Sequence, residues 1–116
     1  MTIDEAIELI CGEMLIGSNN VSINTAFSSD LMSDVLAFVD EDTVLLTGLV
    51  NNQVIRTAEM LDLKTVIFVR GKRPNEEVLM MAKEREMTLI ATKFTMFEAS
   101  GLLYKNGVQA LRIYNE

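Results

Sequence analysis

The chain has 116 residues, 49% of them hydrophobic and 23% charged, and seventeen acidic against ten basic residues give a net charge of −7. This size and composition are typical of one domain with its own hydrophobic core, so we expect a single domain over residues 1–116. The acidic balance argues against nucleic-acid binding, which needs a basic face. No apolar run approaches the roughly 20 residues of a membrane-spanning helix. The N-terminus lacks the features of a signal peptide, which predicts a cytoplasmic protein.

The lack of histidine and the single cysteine restrict the chemistry of the chain. Without histidine, neither a Ser–His–Asp triad nor a Cys–His dyad can form. A zinc or iron–sulfur site also lacks ligands within the chain. We therefore expect no catalytic centre, no metal and no cofactor. Cys11, at the end of an amphipathic helix, is predicted to be a small buried hydrophobic residue.

The N-terminal part of the chain predicts a helix followed by a hairpin. Thr2 and Glu5 have the spacing of a capping box, at the start of a helix that reaches Ile10. Residues 21–28 alternate apolar and polar side chains, which is typical of a half-exposed strand. We expect this strand to pair in an antiparallel hairpin with residues 13–16.

The rest of the chain alternates strands with helices. After a short helix capped by Ser29 or Asp30, three apolar runs recur at spacings of 22 and 23 residues, and a helical pattern follows each run. The runs are residues 43–47, 65–69 and 88–92, and the helices are residues 52–62, 76–86 and 96–104. A last strand is expected over residues 108–114. Short connections of this kind predict a mostly parallel sheet in an α/β fold, with the N-terminal helix and hairpin added to it.

Six segments of the chain occur in a characteristic order: residues 44–48, 66–71, 74–78, 82–85, 89–92 and 97–100. In this order they resemble the DRTGG domain. That family occurs as small stand-alone proteins, in CBS-containing pyrophosphatases and beside phosphotransacetylases, and is similar to the N-terminal domain of HPr kinase/phosphorylase. The resemblance implies one DRTGG-like domain over residues 1–116 and no enzymatic activity, since none is established for the family.

Three signature positions depart from the family pattern. The replacements are Leu49-Val50 or Asn51-Asn52 for Asp-Arg, Val69-Arg70-Gly71 for Thr-Gly-Gly, and Thr95-Met96-Phe97 for Asp-Thr-Phe. A ligand that depends on those residues in the family is therefore bound weakly, replaced by another or not bound at all in this chain.

A candidate ligand site lies at the carboxyl ends of the predicted strands, where open α/β sheets bind ligands near helix N-termini. Three basic residues in four, at positions 70–73, favour a small anion or a nucleotide. The candidate residues are Thr47, Gly48, Asn51, Asn52, Arg70, Gly71, Lys72, Arg73, Thr92 and Lys93. The sequence nevertheless favours a solvated loop at residues 70–73 and a plain helix cap at Asn51 over ligand contacts.

Adjacent large apolar residues predict a surface covered by another protein. Met80 and Met81 lie about 100° apart on a helix, so one of them points away from the core, and Met96 and Phe97 repeat the pattern. Residues 1–62 contain eleven acidic residues and one basic residue, whereas residues 63–116 contain nine basic and six acidic residues. This asymmetry permits one copy to dock on another. We expect a homodimer with these four residues at its interface.

These observations favour a non-catalytic regulatory or protein-interaction module that is dimeric. One alternative is a sensor that binds a small anion or a nucleotide at the strand ends. Another, which the family resemblance implies, is an accessory partner of a redox complex of the hydrogenase type. In that case the partner protein would hold the iron–sulfur cluster.

Overall fold

The computed structural model describes residues 1–114, which form five helices and six strands. The helices are α1 (Ile3–Leu9), α2 (Met32–Phe38), α3 (Asn52–Met60), α4 (Glu76–Glu84) and α5 (Met96–Lys105). The strands are β1 (Glu13–Ile16), β2 (Thr25–Ser28), β3 (Thr43–Thr47), β4 (Thr65–Phe68), β5 (Thr88–Ala91) and β6 (Gln109–Ala110). They form one sheet in the order β1–β5–β4–β3–β2–β6. β1 is antiparallel to β5, and the remaining neighbours are parallel.

The three central strands are buried on both faces. In β3, Leu45 packs into the core beneath α2, α3 and α4, whereas Leu46 packs into the core beneath α1 and α5. β4 and β5 alternate in the same way. Burying each such side chain contributes about 1.5–3 kcal/mol, so the helices must cover both faces of the sheet. The predicted α/β fold with a mostly parallel sheet is confirmed.

The predicted hairpin between residues 13–16 and 21–28 is wrong. β1 pairs with β5, and β2 pairs in parallel with β3. The chain leaves β1 at Gly17, where φ is +110° and a Cβ would lie 2.5 Å from the Thr88 Cα. Only glycine fits such a turn. The Ser18 N–H then donates to the Thr88 Oγ1 at 3.3 Å, which ties the turn to β5 and carries the chain away from a hairpin.

α2 begins without the side-chain cap that the sequence predicts. Its N-cap residue is Leu31, which makes no capping hydrogen bond through its side chain. The Ser29 Oγ accepts a hydrogen bond from the Leu31 N–H, before the helix begins. Asp30 serves the end of the neighbouring strand β3 instead.

Three further predictions, on Cys11, the last strand and the capping box, can be compared with the structure. Cys11 is exposed rather than buried, because α1 ends at Leu9 with Ile10 as its C-cap, and Cys11 then takes a left-handed φ of +49°. The last strand is Gln109–Ala110, which is shorter than the predicted range of 108–114. The capping box of Thr2 is confirmed. Among residues 1–114, no helix combines the length and apolar character needed to cross a bilayer.

Candidate functional site

The carboxyl ends of β2 and β3 are joined by Asp30. Its Oδ1 atom accepts a hydrogen bond from the Gly48 N–H at 2.6 Å and another from the Thr47 Oγ1 at 3.0 Å. The Thr47 Oγ1 also accepts from the Leu49 N–H at 3.2 Å. Thr47 and Gly48 are both buried. Buried polar groups need partners, and these two residues, predicted as ligand contacts, find theirs within the fold.

Arg70 lies over the same strand ends. It follows β4 in a left-handed conformation, with φ at +64°. Its Nη2 atom is 2.8 Å from the position that a Cβ on Gly48 would occupy, so the guanidinium rests against the Gly48 backbone. Within residues 1–114, Arg70 forms no ion pair. Arg70 is exposed, so its guanidinium is accessible from solvent at this edge of the sheet.

The two asparagines are turned to structural roles. The Asn51 Oδ1 accepts from the Gln53 N–H at 3.1 Å and caps α3, in agreement with the plainer of the two interpretations. The Asn52 Nδ2 donates to the Glu77 Oε1 at 3.0 Å and links the starts of α3 and α4. Neither amide faces Arg70 through a hydrogen bond.

Thr92 and Gly71 tie β5 to the loop after β4. The Gly71 N–H donates to the Thr92 carbonyl oxygen at 3.0 Å. The Thr92 Oγ1 is buried and donates to the Ile10 carbonyl oxygen at 2.6 Å. A hydroxyl that is bonded this way holds α1 against the sheet and is not available to a ligand.

The remaining basic candidate residues differ from Arg70 in their surroundings. The Arg73 Nη2 is 2.7 Å from the Glu13 Oε2 in an exposed ion pair, which neutralises the arginine. Lys93 lines a pocket of about 200 Å³ with three other candidate residues, Gly71, Arg73 and Thr92, and Lys72 is exposed on the loop. The ten candidate residues therefore form separate groups and not one pocket.

The four predicted interface residues divide in the same way. Met80 on α4 is 62% exposed and Phe97 on α5 is 89% exposed, whereas Met81 and Met96 pack partly against the two cores. One residue of each adjacent pair points outward, as the sequence predicts. Because α4 and α5 cover opposite faces of the sheet, Met80 and Phe97 lie on different surfaces.

A groove of about 410 Å³ runs between α5 and the β2–β6 edge of the sheet. Phe97, Gly101 and Tyr104 form its outer rim on α5, and Val108 and Leu111 lie on the side of the edge strand. None of its twelve lining residues is charged, in a chain with 23% charged residues. An apolar surface of this kind is typical of a contact with another protein.

Sequence reasoning missed two features of these sites. The sequence predicts Phe97 at an interface but not Gly101 and Tyr104, which share its face of α5, because the buried stripe of the same helix hides this second stripe. Asp30 carried no clear signal, because an acid between a strand and a helix is typical of an N-cap.

No protein-family model and no curated protein matches the sequence. Among solved structures, the chain is similar to the CBS and DRTGG domains of the regulatory region of Clostridium perfringens pyrophosphatase, complexed with its activator diadenosine tetraphosphate. The TM-score is 0.71, with 18% sequence identity over 88% of this chain and 45% of that one. The fold is DRTGG-like. The chain spans less than half the length of that regulatory region, and the likeness at this identity concerns the fold alone.

Replacing Asp30 with alanine is expected to lower the free energy of unfolding by about 1–3 kcal/mol, because the buried Gly48 N–H and Thr47 hydroxyl lose their acceptor. Urea denaturation measures the change. Asp30→Asn, which keeps an acceptor oxygen, should recover most of the loss, and exposed Asp42→Ala should change stability by less than about 0.5 kcal/mol. Equal stability of Asp30→Ala and wild type would contradict the assignment.

Proposed function

We propose that this chain is a non-catalytic regulatory module of the DRTGG type, which acts by contact with another protein surface and forms a homodimer. The observation that carries the proposal is the uncharged groove beside α5, with Phe97 and Tyr104 exposed at its rim. Leaving two aromatic side chains in water is unfavourable unless a partner covers them. A cytoplasmic location, as the sequence predicts, is part of the same proposal.

Two further observations support a regulatory rather than a catalytic role. The strand-end hydroxyls of Thr47 and Thr92 are held by hydrogen bonds within the fold, and both residues are buried, so neither hydroxyl is presented to a substrate. The similar solved structure is a regulatory region and not a catalytic domain. A module of this kind acts through the proteins that it contacts.

Light scattering tests the dimer directly. From micromolar to submillimolar protein, the measured mass should approach twice the 13.0 kDa of one chain, because burial of the apolar groove offsets the cost of association. A mass that stays at 13.0 kDa across this range would contradict the homodimer.

Arg70 supports a second candidate function, the sensing of a small anion or a nucleotide at the strand ends. Its guanidinium is unpaired within residues 1–114 and lies at the carboxyl edge of the sheet. Ligands bind open α/β sheets at this edge. The similar regulatory region binds a nucleotide activator. Asp30 beside Arg70 repels an anion, so the affinity would be modest.

Isothermal titration with diadenosine tetraphosphate, ATP and inorganic phosphate tests this candidate. We expect saturable binding of at least one of them, weakened about tenfold or more by Arg70→Ala, because a hydrogen bond to a charged group contributes about 1.5–3 kcal/mol. Arg56→Ala, on the outer side of α3, should leave binding unchanged. Binding that Arg70→Ala does not affect, or an absence of heat with all three ligands, would contradict it.

A further inference from the structure

Gly101 lies in the interior of α5, yet nothing in its own chain requires a glycine there. A Cβ at this position would meet no atom within 4 Å, and its φ is not in the left-handed region. Glycine inside a helix lowers helix stability relative to alanine. A glycine that faces open space becomes useful when the backbone of a second element approaches it closely.

Two exposed aromatic residues flank this glycine on the same helix face. At about 100° per residue, Phe97, Gly101 and Tyr104 fall within a narrow stripe, and the aromatic residues are 89% and 65% exposed. An aromatic side chain covers about 150–250 Å², so the pair offers on the order of 300 Å². A stable interface covers about 800 Å² on each partner, so the two aromatic residues supply less than half of it. The adjoining groove supplies further apolar area.

The charges beside the stripe favour a second copy over an unrelated partner. Glu98 is in the first turn of α5 and Lys105 is in its last turn. Both lie on the same flank of the stripe, because the helical angle between them is small. Two copies of α5 crossing antiparallel near Gly101 therefore place Glu98 of each copy beside Lys105 of the other. A net charge of −7 per chain makes two copies repel each other over most of their surfaces. A face where opposite charges meet is therefore the one at which two copies can pair.

The geometry points to a twofold dimer in which the α5 helices of two copies cross antiparallel, with Gly101 at the axis. Phe97 of one copy then reaches the end of the groove that Tyr104, Val108 and Gln109 form in the other copy. Such a contact is self-complementary, since the same stripe supplies the protruding ring and the groove. This inference rests on the proposed function and names the face through which the module pairs.

Sedimentation equilibrium of the full chain and three variants tests this face. Phe97→Glu should raise the dimer dissociation constant about a hundredfold or more, because it removes a central aromatic contact from both halves of the interface. Gly101→Leu should do the same by holding the helices apart. Its melting temperature as a monomer should not fall, since the space at Gly101 is open. Met80→Glu tests the other exposed residue that the sequence predicts at the interface; because α4 covers the opposite face of the sheet, this variant should leave the dissociation constant unchanged.

The outcomes separate this inference from the proposal on which it rests. A dimer that survives Phe97→Glu and Gly101→Leu but is lost in Met80→Glu would overturn the α5 interface and leave the homodimer standing. A wild-type chain that is monomeric at every concentration would overturn both, and would leave the groove to a different protein. Circular dichroism of each variant confirms that lost association does not reflect lost folding.

Discussion

Three adjacent parallel strands that are apolar on both faces impose the main constraint on this molecule. β3, β4 and β5 are fully buried, so each face of the sheet needs a layer of helices. α2, α3 and α4 cover one face, and α1 and α5 cover the other. α5 meets this need with Ala99 and Leu103 on its inner side. The outer side of α5 does not contact the core, yet it carries two exposed aromatic residues, Phe97 and Tyr104.

The same constraint explains why the strand ends are largely closed. The hydrogen bonds of Asp30 and Thr92 join the loops after β2, β3 and β5 to their neighbours, and these bonds satisfy polar groups that the buried strands would otherwise leave without partners. Arg70, which lies against Gly48, forms no such bond through its side chain within residues 1–114. Ser28, at the end of β2, also bonds to Ser100 on α5 at 2.7 Å. The end of β2 therefore borders both the groove and the strand ends at which Asp30 lies.

The sequence predicted the central fold because its signals are local. Apolar runs, helix caps such as Asn51 and the adjacent pair Met96-Phe97 depend on residues close in the chain. The pairing of β1 with β5 depends on the contact between Gly17 and Thr88, which are far apart in sequence. Because local patterns do not show this contact, the alternation of residues 21–28 predicts a hairpin with the nearby residues 13–16 instead. For the same reason, the sequence does not show that the candidate ligand residues form separate groups. Hydrogen bonds such as those of Asp30 show which strand-end residues are occupied only after the strands are placed.

The central claim is that the outer face of α5 pairs with a second copy, and amide hydrogen exchange at low and high protein concentration tests it most directly. Pairing shields the backbone that lies beneath the contact, whereas a face that remains in water exchanges at the same rate at all concentrations. We expect protection to rise with concentration in α5 and β6, and to stay constant in α4. Protection that rises in α4 instead, or that changes nowhere in the chain, would contradict the account.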